Sequence, residues 1–319
     1  MTSKLFSENL GSIRSDEELA LLKQQFPDYD LSYICQAAAV GRKKIRTWME
    51  KLWQQYEPYA DSHFLEEIKR QFGQRAWELY LGTTFLNRGF ALGAHQNTGP
   101  DFDLRNKVDG KRLAWVEAIA VQKGVGNDRV PDLFYGGVMS VPEEEMTLRL
   151  TNALSEKFKR YEKGLQEKII KHGEPYVIAM DRSELQHVDA SMPLILKALF
   201  GIGDLTIVFE LGQERHEPKD SFHADLPSLD KKNGKPVPMK FFLDPKHAGV
   251  SAVIYSMDNI LNSPRVPGEM GENFIVVHNP NATNSLPQHF FPFGMEFVWE
   301  GNAANVIREK KRIPPPRHI

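Results

Sequence analysis

Apolar positions over the first sixty residues recur at helical spacing. Ser15-Asp16-Glu17-Glu18 has the form of a capping box, Leu19, Leu22 and Phe26 follow on one face, and Pro27 stops the run. The same reading predicts helices from Leu31 to Val40 and from Arg42 to Tyr56, the second ended by Pro58. From Asp61 to Asn87, the stripe Phe64, Ile68, Phe72, Leu79 and Leu86 predicts one long helix. Gly73 is its weak point, costing about 1 kcal/mol. The period then changes. Phe102 to Leu104 and Leu113 to Val121 read as strands joined through the turn Asp109-Gly110. A helix from Pro142 or Glu143 to Ile170 follows, then Pro175 to Met180, a short apolar run of the buried-strand kind. Leu194 to Phe200 reads as a short helix and Leu205 to Glu210 as a strand. Gln213 to Lys240, polar and rich in Pro, Asp and Lys, reads as a long loop or insertion. Gly249 to Tyr255, Asn273 to His278 and Met295 to Trp299 are the later strands.

This order describes an α/β or α+β fold with a mixed sheet. The expected organisation is an N-terminal helical segment over 1–60, an α/β core over 61–200, and C-terminal strands and loops over 201–319 extending the same domain. Composition is ordinary, with 41% hydrophobic and 26% charged residues, which excludes disordered and fibrous classes. Forty Lys and Arg against forty-two Asp and Glu leave a charge of -2, so any DNA or RNA surface has to be a local basic patch. Three runs qualify: Arg42 to Arg46, Lys157 to Tyr161 and Arg308 to Arg312, with Trp48 and Tyr161 as stacking rings. Solvated helix faces and a charged tail explain the same runs. Cys35, the single cysteine, rules out an internal disulfide and a Cys-based zinc site and fits a reducing compartment. Among Ile34, Ala37 and Ala38 it reads as a buried structural thiol. No apolar run approaches the roughly 20 residues that span a bilayer, and the N-terminus lacks the apolar stretch of a secretory signal. A soluble cytoplasmic protein with no membrane partner is expected.

Chemistry concentrates between Glu78 and Lys123. Glu78 shares a helical face with Leu81, Gly82, Phe85 and Leu86, where a carboxylate is costly without a cation or a metal. Asp101 follows Gly99-Pro100 at the mouth of the first hairpin strand. Glu117 interrupts an apolar strand between Val116 and Ala118. A three-residue loop Val108-Asp109-Gly110, with Gly110 left-handed, puts Asp101 opposite Glu117 with Cβ atoms about 5 Å apart on one face. A two-residue turn shifts the register by one and separates them. Two such carboxylates and a third from a packed helix suit a hard cation, Mg²⁺ or Mn²⁺. The plain structural alternative pairs Glu78 with Arg75 or Arg88, uses Asp101 to cap a turn, and leaves Glu117 on an exposed strand face.

Trp77-Glu78-Leu79-Tyr80, Gly99-Pro100-Asp101-Phe102 and Trp115-Val116-Glu117-Ala118 together resemble the PD-(D/E)XK nuclease superfamily over residues 61–181. The Pro-Asp pair alone carries no weight, since Pro27-Asp28 and Pro131-Asp132 also occur. The resemblance implies a restriction-endonuclease-like mixed sheet flanked by helices, with Glu78, Asp101 and Glu117 as the metal-binding carboxylates. It further implies a divalent-metal-dependent nuclease acting on DNA or RNA. The family's Lys belongs two residues after Glu117, where Ile119 stands. Gln122 and Lys123 at the strand end and Lys157 on the next helix are the candidate replacements. Lys157 is favoured, because Lys123 lies about 20 Å along an extended strand. The missing Lys keeps open a catalytically inactive nuclease-fold binding or accessory protein. Other signatures fail. His216, His223, His247, His278 and His289 lack zinc-site spacing and read as surface residues, Gly124-Val125-Gly126 is not a dinucleotide loop, and no Gly-x-Ser-x-Gly elbow occurs.

Overall fold

The computed structural model describes residues 3–6, 10–94, 98–134, 136–189, 192–209 and 218–309. Helices α1 (Asp16–Gln25), α2 (Leu31–Ala38), α3 (Lys43–Tyr56), α4 (Phe64–Arg70) and α5 (Phe72–Asn87) come first. Strands β1 (Phe90–Leu92), β2 (Phe102–Asn106) and β3 (Arg112–Ala120) follow, and α6 (Glu143–Gln166) crosses to β4 (Tyr176–Asp181). After α7 (Leu194–Phe200) come β5 (Ile202–Phe209), β6 (Pro218–Asp225), β7 (Ser228–Asp230) and β8 (Pro236–Pro238). Strands β9 (Ala252–Ser256), β10 (Ile275–His278), β11 (Met295–Glu300) and β12 (Ala303–Arg308) end the described chain. Eight of these strands form one sheet in the order β1-β2-β3-β4-β9-β10-β11-β12. Strands β1 to β3 are antiparallel, β3, β4 and β9 run parallel, and β10 is antiparallel to β9 but parallel to β11. The protein is therefore mixed α/β, with helices on both faces of a large mixed sheet.

Strand parity divides the interior into two cores. Ala114, Val116, Ala118 and Ala120 of β3 join the side that holds α3 and α5, while Trp115 and Val121 join the side that holds α6 and α7. Strand β4 is buried along its whole length, which is why it reads as an unbroken apolar run. Tyr33, Met49, Trp53 and Tyr56 of the N-terminal helices share a core with Trp77 and Phe85 of α5. No helix among the described residues is long and apolar enough to cross a membrane.

Several elements differ from the sequence reading. The expected helix over 61–87 breaks at Gln71 (φ -132°, ψ 55°). A Cβ on Gly73 would collide with the carboxylate of Glu184, so the glycine makes room at the start of α5. Strand β5 leaves the main sheet and pairs only with β6. Strands β6, β7 and β8 occupy much of the stretch expected to be loop, while its residues 213–217, including His216, lie outside the described residues, as does Glu210. Helix α6 stops short of Ile170, whose N–H bonds the Gly164 carbonyl beyond the last turn. Strands β1 and β12 have no counterpart in the sequence reading. Cys35 is half-buried rather than buried, and desolvation pushes its thiol pKa up.

The β2–β3 hairpin sets the register that matters. Gly110 is left-handed (φ 69°), but the loop is one residue longer than expected, and a bulge at Leu104/Arg105 absorbs the difference. Beyond the bulge Phe102 pairs with Val116, so the next position places Asp101 opposite Glu117.

Candidate functional site

Strand β2 begins only at Phe102, opposite Val116, while β3 runs on to Ala120, so one edge of β3 is left without a strand neighbour. Side chains cover it. Ala118 N–H donates to Asp101 Oδ2 at 2.7 Å, Gln74 Nε2 donates to the Ala118 carbonyl at 3.3 Å, and Ala120 N–H donates to Gln74 Oε1 at 2.8 Å. Helices α5 and α6 meet over this edge around a cleft of about 340 Å³. Its lining includes Gln74, Arg75, Glu78, Asp101, Lys157 and Arg160.

Glu117 points to the α6 side and is 2% exposed. Its Oε1 accepts from Lys157 Nζ at 2.7 Å and from Arg160 Nη1 at 3.0 Å. Ile119, at the position where the resemblance expects Lys, lines the cleft, and the ammonium group reaches Glu117 from the helix instead. Glu78 approaches from α5, on the other face of the sheet. Its Oε1 accepts from the Tyr56 hydroxyl at 2.8 Å and its Oε2 from Arg75 Nη1 at 2.6 Å. Arg75 also pairs with Asp61 at 2.7 Å and with Glu67. The structure thus brings Glu78, Asp101 and Lys157 to the lining of one cleft, with Glu117 buried behind Lys157 and Arg160, and does not gather the three acids into a cage. Among the described residues, no three His, Cys, Asp or Glu side chains are placed to hold an ion.

The hydrogen-bonded network around the acids holds more acids than cations. Five carboxyl groups (Asp61, Glu67, Glu78, Asp101 and Glu117) face three cations (Arg75, Lys157 and Arg160), an excess of two acids. The titration behaviour follows. Burial and then the charge of Asp101 push the Glu78 carboxyl up to about 8, against the pull of Arg75 and Tyr56. Burial and Asp101 likewise push Glu117 up to about 7, against Lys157 and Arg160.

The remaining sequence candidates fall elsewhere. Gln122 lies at the cleft rim with an exposed side chain, and its carbonyl, not its amide, makes the recorded contact, accepting from Arg149 Nε at 2.9 Å. Lys123 turns away to Asp132 and Gln186. Arg88 pairs with Glu272, so it is Arg75 that partners Glu78. In the run Lys157 to Tyr161, Lys157, Phe158 and Tyr161 are buried, which removes Tyr161 as a stacking ring. Arg46 is engaged with the carbonyls of Gln36 and Ala37, and Arg308 with Glu296, while Lys310 to Arg312 lie outside the described residues. His278 is not a surface residue: it is buried, with Nε2 at 2.6 Å from Glu296 Oε1. Sequence reasoning missed Tyr56, Gln74 and Arg160, whose roles depend on partners 22 to 46 positions away. Comparison with family models, with curated proteins and with solved structures gave no match.

Proposed function

We propose that this chain is a divalent-metal-dependent nuclease on a restriction-endonuclease-like core, with Asp101 and Glu117 as the principal ion-binding pair. One observation carries the reading. The hairpin register opposes Asp101 and Glu117 at a strand end, and Lys157 Nζ stands 2.7 Å from Glu117, supplying from α6 the cation that β3 lacks. The element order also supports it: α5, three antiparallel strands, the α6 crossover and parallel β4 follow the arrangement that the resemblance implies. Oxygen donors and two more acids than cations suit Mg²⁺ or Mn²⁺. Such an ion supplies Lewis acidity and an activated water for phosphodiester cleavage. Asp101 is oriented by the Ala118 N–H, and Lys157 and Arg160 hold Glu117 and offer positive charge to the phosphate. Glu78, held by Tyr56 and Arg75, lines the cleft wall and ionises only as pH approaches about 8.

A second reading, a nuclease-fold binding or accessory protein without turnover, is favoured by one observation: Glu78 and Glu117 are each already neutralised by internal cations. Incubation of labelled DNA and RNA, single- and double-stranded, with Mg²⁺ or Mn²⁺ separates the two. Cleavage abolished by Asp101→Asn and by Glu117→Gln supports the nuclease. Metal-independent nucleic-acid binding, unchanged in Asp101→Asn and without cleavage of any form, supports the second reading.

A further inference from the structure

Arg149 is the cleft cation that the acid network does not use. Arg75, Lys157 and Arg160 are engaged with Glu78 and Glu117, whereas no acidic side chain among the described residues pairs with Arg149. Its guanidinium is nevertheless fixed. Nε donates to the Gln122 carbonyl at 2.9 Å, and the group lies against the backbone at Gly124, where a Cβ would stand 3.0 Å from Cζ, Nε and Nη1. Gly124 is left-handed (φ 82°), so the loop closes over the guanidinium without a side chain in the way. With Nε committed to a carbonyl, the two terminal nitrogens remain as a planar pair of donors, the geometry that matches phosphate oxygens.

Two independent lengths locate this group. Arg149 precedes Lys157 by eight residues on α6, about 12 Å at 1.5 Å per residue. Along β3 and its extension, Glu117 and Gln122 are five residues apart, about 16 Å when extended. Both place Arg149 well beyond hydrogen-bond reach of the acid pair but in the cleft that Asp101 lines, with exposed Asn152 and Glu156 between it and Lys157 on the lining face of α6. Phosphates on one strand of B-form DNA rise about 3.4 Å each along the axis but also wind around it, so neighbours lie about 7 Å apart and this separation spans about two of them.

We propose that Arg149 is a phosphate-binding position for a nucleic-acid strand laid along α6, about two phosphates from the bond to be cleaved. The proposal rests on the nuclease-fold reading and adds to it a substrate path and a minimum length. It makes Arg149 a binding residue that touches the strand away from the reacting atoms.

The test is fluorescence anisotropy of full-length wild type, Arg149→Ala and Arg149→Lys with labelled oligonucleotides of one to twelve phosphates. DNA and RNA, single-stranded and duplex, are titrated in EDTA, and cleavage with Mn²⁺ is followed in parallel. Wild type is expected to gain affinity once the strand carries about three phosphates. Arg149→Ala is expected to remove that gain, weaken long strands about tenfold, and lower the slope of log affinity against log salt by about 0.7 to 0.9. Shorter strands and the melting temperature stay unchanged, KM for long strands rises while kcat holds, and Arg149→Lys restores the salt slope but only part of the affinity. Equal affinity and slope for wild type and Arg149→Ala at every length, with binding or cleavage intact, overturn the Arg149 assignment and leave the nuclease reading standing. A loss of the same size at every length, or a lowered melting temperature, shows a structural role and also overturns it. If wild type neither binds nor cleaves any strand, both readings fail together.

Discussion

Replacing Lys157 with Met tests whether the buried acid escapes its ion pair by protonation. A fixed ion pair losing one partner costs about 3 to 5 kcal/mol, because the other charge is left buried. The structure argues for less. Glu117 is held at about 7 by burial and by Asp101 even with Lys157 and Arg160 in place. Without Lys157 it simply keeps its proton. The added electrostatic cost is then the work of retaining that proton above pH 7, about 1.4 kcal/mol per pH unit. That is about 1.4 kcal/mol at pH 8 and almost nothing at pH 6. The lost hydrogen bond adds about 1 kcal/mol at either pH. Equilibrium urea unfolding of wild type and Lys157→Met at pH 6 and pH 8 gives the comparison. Expected losses are about 1 kcal/mol at pH 6 and about 2 kcal/mol at pH 8, with the pH difference gone when Glu117→Gln is added. A loss of 3 kcal/mol or more at both pH values would mean that Glu117 stays ionised, and the protonation argument fails.

Because Glu78 and Glu117 are both raised, metal-free stability is fully present below about 4.5 and is lost as pH rises through about 7 to 8. Thermal melts from pH 4 to 9 should show that slope, and the Glu78→Gln/Glu117→Gln double variant should flatten it. Gly73→Ala should stabilise by about 0.5 to 1 kcal/mol, since helix propensity gains and the half-buried Glu184 carboxylate is a flexible end that swings to solvent. A melting temperature lowered instead would show that Glu184 is pinned. Gly294→Ala meets the opposite case, a left-handed residue (φ 71°) whose new Cβ strikes the Phe274 carbonyl between β10 and β11. It should cost more than about 2 kcal/mol, and a urea midpoint within error of wild type would contradict this.

What could be read from the sequence follows the physics of each segment. Strand β4 and helix α7 stand out because burial all round leaves them mostly apolar, Lys197 of α7 excepted, with length and flanking Pro and Gly to define them. The opposition of Asp101 and Glu117 follows from turn arithmetic, although the actual loop reaches that register through a bulge. Strands β6 and β12 escape notice because they are mostly exposed and carry no apolar alternation. Glu78 was expected to complete a cage, yet sequence does not reveal that its helix packs on the face opposite Glu117. Nor does it show that the run Lys157 to Tyr161 turns its first residue and its rings inward, because a 3.6-residue period identifies a face but not the surface it meets. The His278–Glu296 contact joins parallel neighbours 18 positions apart, and no local pattern marks it.

Gln74 stands in for hydrogen bonds that another strand would have made to Ala118 and Ala120. A ladder of backbone bonds opens only when a strand detaches, whereas an amide on a helix lets go by turning one side chain. The end of β3 is therefore shielded from pairing with a neighbouring molecule by side chains that can let go one rotamer at a time.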